Sequence, residues 1–419
     1  MPRSTPHVPV LPHAAFQHRD FRLFQVARLA SILATETQSL AVAWLVYQIT
    51  HRPLDLGYVG LAQFLPALMF LPFSGHTADR FDKRRILMIC NAGLALCAGF
   101  LYWCAQQPQL SEHFIFLVLF VIGTIRAFAT PASQSITPNL VPAEHFSNAM
   151  AWGSSIFMAA TIAGPAIGGA IYGLTDSAHP VFGLAMLLDT FAFLVLSALH
   201  VRTGRLEHRD TSLETLSAGF RYVWRKKMIL GSISLDLFAV FLGGAVALLP
   251  IFAKDVLHVG ALGMGVLRAS SAAGAALTGL YLAFRPVTRR NGLVMLWCVA
   301  VFGVGTVVFG LSRSFWLSVL ALAVLGASDM ISVVIRATLV QIATPPAMRG
   351  RVSAVNLLFI GASNELGEFE SCLTAQWFGA VPAVILGGIG TLLIVGLWAW
   401  RFPELRKADS LHAEMAGEE

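Results

Sequence analysis

Gly75-His76-Thr77-Ala78-Asp79-Arg80-Phe81-Asp82-Lys83-Arg84-Arg85 is the stretch on which the reading of this chain turns. Long apolar runs flank it on both sides. Six of the seven residues from Asp79 to Arg85 are charged. A charge at the centre of a bilayer costs about 2.5–3.5 kcal/mol by insertion scales, so this cluster cannot lie in hydrocarbon. It is predicted to be a tight aqueous turn between two membrane helices, and its cations place it on the cytoplasmic side.

The composition agrees. Of 419 residues, 56% are hydrophobic and 12% charged, and the mean hydropathy is +0.69. Soluble domains carry about 25% charged residues. The net charge of +6 falls in short loops between apolar runs, which points to membrane topology and against a nucleic-acid partner. Residues 1–20 hold Pro2, Pro6, Pro9, Pro12, Arg3 and Arg19 but no long apolar core, so the first span is expected to serve as the insertion signal. Cys90, Cys97 and Cys104 recur every seven residues on one helix face, and Cys298 and Cys372 also lie in apolar runs. They read as small packing residues; no metal and no cofactor is expected. A phosphate-binding G-x-x-x-x-G-K-[ST] stretch is absent, as are zinc-hydrolase and nucleophile-elbow motifs, so an ATPase or other enzyme is not expected.

About 20 apolar residues cross a bilayer core. On that basis twelve spans are expected, roughly 21–49, 55–79, 83–106, 112–137, 144–174, 179–201, 228–253, 259–284, 291–311, 314–342, 348–377 and 380–401. With both termini cytoplasmic, nearly all loop cations fall inside, from Arg3 through the central-loop group Arg202 to Lys227 and on to Lys407. Only Arg52, Lys254 and Arg313 fall outside. The resulting organisation is a cytoplasmic tail (1–20), a six-helix bundle (21–201), a cytoplasmic linker (202–227), a second six-helix bundle (228–401) and a cytoplasmic tail (402–419). In the linker, Leu213, Leu216, Phe220 and Val223 share one helical face, which predicts a short amphipathic helix on the inner membrane surface. A shift of 203 residues places Gly123 on Gly326, Pro142 on Pro345 and Gly164 on Gly367. Arg289-Arg290 faintly echoes the charged turn. The halves diverge where Arg126 meets Asp329 and Pro165 meets Glu368. This weak repeat suggests two related bundles around a central cavity.

Several intramembrane residues carry chemistry. Ala160, Gly164 and Gly168 form a ridge of small residues along the fifth helix, open to close approach by a neighbour, and Pro165 removes a backbone donor and can bend it. Arg126 cannot readily give up its proton, so it suits the role of electrostatic partner to a proton carrier. Acids within the expected spans are Glu36, Asp189, Asp236, Asp329, Glu365, Glu368 and Glu370. Burial favours the neutral form of a carboxyl, so such groups are candidates to carry a proton. Glu36 stands first, midway along the first helix in the polar run Thr35-Glu36-Thr37-Gln38-Ser39; each acid could instead pair with Arg28, Arg126, Arg268 or Arg336. Glu365 and Glu368 are three apart and share a face, so one should hold a proton or both should share a cation. Gln38, Trp44, Tyr47, Gln63, Phe64, Trp152, Phe157, Asn356 and Gln376 are candidates to line a cavity for a bulky amphipathic solute.

The charged turn resembles the G-x-L-A-D-R-x-G-R-K signature between the second and third helices of major facilitator superfamily transporters. Gly75, Ala78, Asp79, Arg80, Lys83 and Arg84 match; Thr77 and Asp82 depart from it. Gly164-Pro165-Ala166-Ile167-Gly168-Gly169 resembles the fifth-helix motif of superfamily exporters that work by antiport. Arg126 resembles the fourth-helix arginine that such antiporters associate with proton transfer. Phe21-Arg22-Leu23-Phe24 leading to Arg28, Arg349-Gly350-Arg351-Val352 and Asn364-Glu365-Leu366-Gly367 are similar to the branch of enterobactin exporters and macrolide efflux proteins called transmembrane secretion effectors. The resemblance, over about residues 15–405, implies an all-α membrane protein of two pseudo-symmetric six-helix bundles, a monomer in the bacterial inner membrane. It implies a proton-coupled efflux antiporter for a drug, siderophore or metabolite, working by alternating access. It also implies a gate in which Asp79, Arg80, Lys83 and Arg84 meet a latch at Arg349 and Arg351 to close the cytoplasmic side. An importer or facilitator, a lipid flippase, and a non-transporting membrane sensor remain alternatives on the same scaffold.

Overall fold

The computed structural model of the protein describes residues 13–107, 111–200, 213–285, 287, 290–345 and 348–407. Parts of both expected tails (1–12 and 408–419), most of the linker before its helix (201–212) and Arg289 lie outside the described residues, as do the side chains of Leu213 and Leu216. The helices are α1 (Arg19–Thr50), α2 (Pro53–Arg80), α3 (Lys83–Cys104), α4 (Glu112–Ile136), α5 (Phe146–Thr175), α6 (His179–Ser197), α7 (Leu213–Arg225), α8 (Lys227–Leu242), the single turn α9 (Leu249–Ile251), α10 (Gly260–Phe284), α11 (Asn291–Leu311), α12 (Phe315–Ile342), α13 (Arg349–Phe378), α14 (Ala380–Arg401) and α15 (Pro403–Lys407). No strand occurs among the described residues.

Ten of these helical stretches are long and apolar enough to cross a membrane. The segments expected as the eighth and eleventh spans are helices, α10 and α13, but neither is among the ten. Both devote a face to small or polar residues, Arg268 in one and Asn364, Glu365 and Glu368 in the other, and this lowers their mean hydropathy.

The charged turn is a helix-to-helix junction. Helix α2 ends at Arg80, Phe81 is extended, and Asp82 caps α3 by accepting a hydrogen bond from the Arg84 backbone N–H at 3.0 Å. Asp82, one of the two departures from the family signature, is therefore a helix N-cap. Lys83 is 2% exposed and its ammonium donates to the Ser135 carbonyl at 3.2 Å. The Arg84 guanidinium donates to the Leu196 carbonyl at 3.1 Å and also to that of Ser197. These carbonyls lie in the last turns of α4 and α6, where the helix dipole is negative. The turn thus ties α2 and α3 to the ends of their neighbours.

The packing repeats. In the first half α2 lies on α4, α3 on α6 and α4, and α1 on α5 and α6. In the second, α10 lies on α12, α11 on α14 and α12, and α8 on α13 and α14. The aligned glycines do equivalent work. A Cβ at Gly123 would strike the Gln63 backbone of α2, and one at Gly326 the Ser271 backbone of α10; Gly164 faces α1, and Gly367 faces α8. Only a residue without a side chain permits each approach. In α3, Cys90 and Cys104 are buried, while Ile89, Leu96 and Trp103 on the other face are 73%, 76% and 56% exposed, as a lipid-facing stripe requires.

The halves meet through α5 against α10 and α2 against α13. One apolar core runs through both halves at the end away from the charged turn and joins Leu40, Trp44, Tyr172 and Phe182 to Phe252, Leu267, Phe309 and Cys372. Toward the turn the cores separate. One holds Phe21, Phe24, Leu87 and Leu196 of the first half; two others hold Leu235, Met295, Leu339, Val352 and their neighbours of the second. The molecule is sealed at the far end and parted at the turn end. Helix α7 packs on α13 and α8, with a Cβ at Gly219 excluded by the Arg351 backbone.

Candidate functional site

Halfway along the helices, charged groups from both halves converge. Glu36 of α1 lies 3.6 Å from Arg268 of α10, and the same guanidinium donates to the Ser39 hydroxyl at 3.2 Å. Glu365 and Glu368 of α13 face Gly60 of α2: a Cβ there would stand 3.1 Å from one carboxylate and 3.8 Å from the other. Arg268 lies within electrostatic range of both, and Arg126 within range of Glu365. The cluster therefore holds three carboxylates and two guanidiniums drawn from α1, α4, α10 and α13.

The fifth-helix motif is built around this cluster. A Cβ at Gly164 would overlap the Glu36 side chain, and one at Gly168 would crowd the Thr37 backbone. One residue further round the helix, Gly169 sits against Ala261 and Gly265 of α10, and the Pro165 carbonyl abuts Gly265. The ridge serves α1 on one side and the opposite half on the other.

Beside it, Arg126 donates to Gln63 Oε1 at 3.1 Å. Gln38, Gln63, Thr35, Arg126 and Asp189 line a small cavity within the first half. Asp189 is 4% exposed and lies beside Ser31, while its Oδ1 has no partner. Phe157 is exposed on α5, a Cβ at Gly361 would stand 4.0 Å from the Phe64 ring across the boundary, and Asn356 has an unpartnered buried Oδ1. Trp44 instead packs in the sealed core against Tyr172, ring centroids 6.3 Å apart, because its position on α1 lies nearer the sealed end.

The other acids have partners of their own. Asp236 of α8 pairs with Arg336 of α12, which is 2% exposed, and Asp329 feels both charges. Glu370 accepts from the Thr374 hydroxyl at 2.7 Å. No group of three or more metal-ligating side chains occurs among the described residues. At the turn end the arginines stay on their own half: Arg349 donates to the Thr344 carbonyl at 3.1 Å, and Arg351 contacts the Met348 sulfur at 3.5 Å.

Two features escaped the sequence reading. In the sequence Arg268 is one of four possible partners for the acids; its signal is that it is the lone charge in a helix rich in Gly, Ala and Ser. The second is a polar seal at the far end. Tyr47 of α1 donates to Asp255, Lys254 lies 5.5 Å from the Tyr47 ring centroid, and Lys254 Nζ is 3.4 Å from His51 Nδ1. Lys254 and Asp255 belong to a π-helical turn, Phe252–Val256, which no local pattern announces.

Two bundles of repeated packing, joined at one end, parted at the other and bridged by charge at the middle, define a transporter of the major facilitator fold. The chain belongs to the transmembrane secretion effector family, whose pattern it matches over residues 10–417. It is 22% identical over 401 residues to macrolide efflux protein A of Streptococcus pyogenes, covering 93% of this chain and 97% of the relative. It is 26% identical over 382 residues to the enterobactin exporter EntS of Citrobacter koseri, covering 90% and 86%. Among solved structures, nucleoside transporter NupG superposes with a TM-score of 0.74 at 13% identity, covering 92% of this chain and all of that one (100%). A bacterial homolog of the lysosomal transporter Spinster, inward-facing and occupied, gives 0.72 at 14% identity, covering 93% and 98%. The family and these relatives are transporters, not enzymes, and the chain is a multi-pass membrane protein.

Proposed function

We propose that this chain is a proton-coupled efflux antiporter for amphipathic small molecules, working by alternating access in the bacterial cytoplasmic membrane as a monomer. Both termini face the cytoplasm, as does the end at which the two halves keep separate apolar cores. The observation that carries this reading is the Glu36–Arg268 pair, which joins the halves at 3.6 Å beside Glu365 and Glu368. A proton on Glu36 removes one charge from that pair and so changes how strongly the halves hold together. A ligand or proton shifts a two-state equilibrium only through such a difference between states. Asp189, Asp236, Asp329, Glu365 and Glu368 are further candidates to carry that proton, with Arg126 as their electrostatic partner.

Gly164, Pro165, Gly168 and Gly169 form the pivot, since they allow α5 to lie against both α1 and α10. In the opposite state Gly75, Asp79, Arg80, Lys83 and Arg84 approach Arg349 and Arg351 and close the cytoplasmic end. Gln38, Gln63, Phe64, Phe157 and Asn356 are substrate-contact candidates, and Trp44 supports them from behind. The names of the efflux and enterobactin relatives favour a drug or siderophore as cargo.

The test is proton-gradient-driven flux in proteoliposomes against a panel of siderophores, macrolides and cationic dyes, with wild type beside Glu36→Gln and Arg126→Ala. Gradient-dependent flux lost in either variant supports the reading. Flux indifferent to the gradient would replace the antiporter with a facilitator.

A further inference from the structure

We propose that Gln25, Arg28 and Gly153 form an anion-binding site between α1 and α5, about two helical turns from Glu36 toward the charged turn. Gln25 and Arg28 are three residues apart and share a face of α1. Both converge on Gly153 of α5: a Cβ there would stand 2.8 Å from Arg28 Nη1 and 3.5 Å from Gln25 Nε2. Gly153 thus lets the guanidinium and the amide lie side by side against the α5 backbone, with no side chain between them and that helix.

Neither donor is satisfied. Gln25 is 2% exposed, and both its Oε1 and its Nε2 lack a hydrogen-bond partner. A buried amide left without partners keeps the whole desolvation cost of the group. Arg28 is half-buried, and none of the ion pairs or hydrogen bonds among the described residues includes it. The other intramembrane arginines differ: Arg126 has Gln63, Arg268 has Glu36 and Ser39, and Arg336 has Asp236.

The chemistry selects the ligand. Arg28 repels a cation, and a neutral solute leaves its charge unmatched. A carboxylate or phosphate accepts from the guanidinium fork through one oxygen edge and from the Gln25 amide through another. Arg28 precedes Glu36 by eight residues, about 12 Å along the helix toward the charged turn. The anion therefore binds apart from the acid-rich cluster, and the proposal holds whether or not transport is proton-coupled. Its source is either a soluble anion or the headgroup of an anionic lipid entering beside α5.

Isothermal titration of the full chain in neutral detergent tests this, with inorganic phosphate and short-chain phosphatidylglycerol as separate titrants. Wild type should show one saturable site. R28Q should weaken it about tenfold or more, and so should G153A, whose Cβ would displace the Arg28 guanidinium, because a charge-assisted hydrogen bond is the stronger kind. R22Q, which removes an exposed charge on the same helix, should titrate like wild type. Tighter binding of the lipid identifies a headgroup, and tighter or equal binding of phosphate a soluble anion; both support the site. Melting curves separate loss of the site from loss of the fold, and either variant suffices if the other fails to fold. No saturable binding of either titrant to wild type, or folded R28Q and G153A that both titrate like wild type, would overturn the proposal and leave the Gln25 amide to buried water.

Discussion

Glu36 in α1 and Arg268 in α10 lie 3.6 Å apart, although each belongs to a different half of the molecule. Their approach depends on a third element, since Gly164 of α5 leaves the room that the Glu36 side chain occupies. A charge pair, a glycine ridge and the boundary between the halves thus meet at one place.

The pair should be energetically coupled. Glu36→Gln and Arg268→Gln should each lower the melting temperature, and the double variant should lose less than the sum. Contacting charged residues show coupling of about 0.5–3 kcal/mol. A double-mutant cycle in detergent measures it, and strict additivity would mean the pair does not act as one.

Gly164→Ala should be costly despite its small size. The new Cβ would overlap Glu36, and overpacking of this kind costs about 1–3 kcal/mol. Thermal melting should show the loss, and transport should fall with it. Gly350→Ala is the matched control, because nothing lies within 4 Å of a Cβ there.

Asp236→Asn should destabilise the second half strongly. It strands Arg336, which is 2% exposed, and breaking a buried pair from one side costs about 3–5 kcal/mol. Replacing both members, Asp236→Leu with Arg336→Met, should recover much of the loss in a melting assay. A double variant no more stable than the single one would point to a further role for the pair.

Tyr47→Phe should loosen the sealed end, because it removes the hydroxyl that donates to Asp255 between the halves. Spin labels at Gln107 and Arg313, both exposed near that end, should report a longer distance population in the variant. An unchanged distance distribution would assign the closure to the apolar core alone.

Much of this was legible in the sequence, and the boundary of legibility has a physical basis. The turn at 75–85 announces itself because charge is excluded from hydrocarbon. The ridge at Gly164 and Gly168 is visible because close helix contact needs small residues at a fixed spacing. The aligned glycines at 123 and 326 survive divergence because backbone approach tolerates no side chain. Pairings are another matter. Nothing local to Glu36 names Arg268, and nothing local to Asp236 names Arg336 rather than Arg28, since each partner lies on a distant helix. Asp255 lies past the expected end of the seventh span at 253, and only the π-helical turn of Phe252–Val256 brings it to Tyr47. Trp44, an aromatic near a polar run, looked able to line a cavity, yet its depth along α1 puts it in the sealed core.

The central claim is that substrate and protons move in opposite directions through the site where Glu36 meets Arg268. It is tested most directly by recording lumenal pH, with a trapped fluorescent indicator, while a transported compound enters proteoliposomes. The account predicts that substrate entry drives protons out and makes the lumen more alkaline in wild type, and that Glu36→Gln abolishes the pH change. Substrate entry with no pH change in wild type, or an undiminished change in Glu36→Gln, would contradict it.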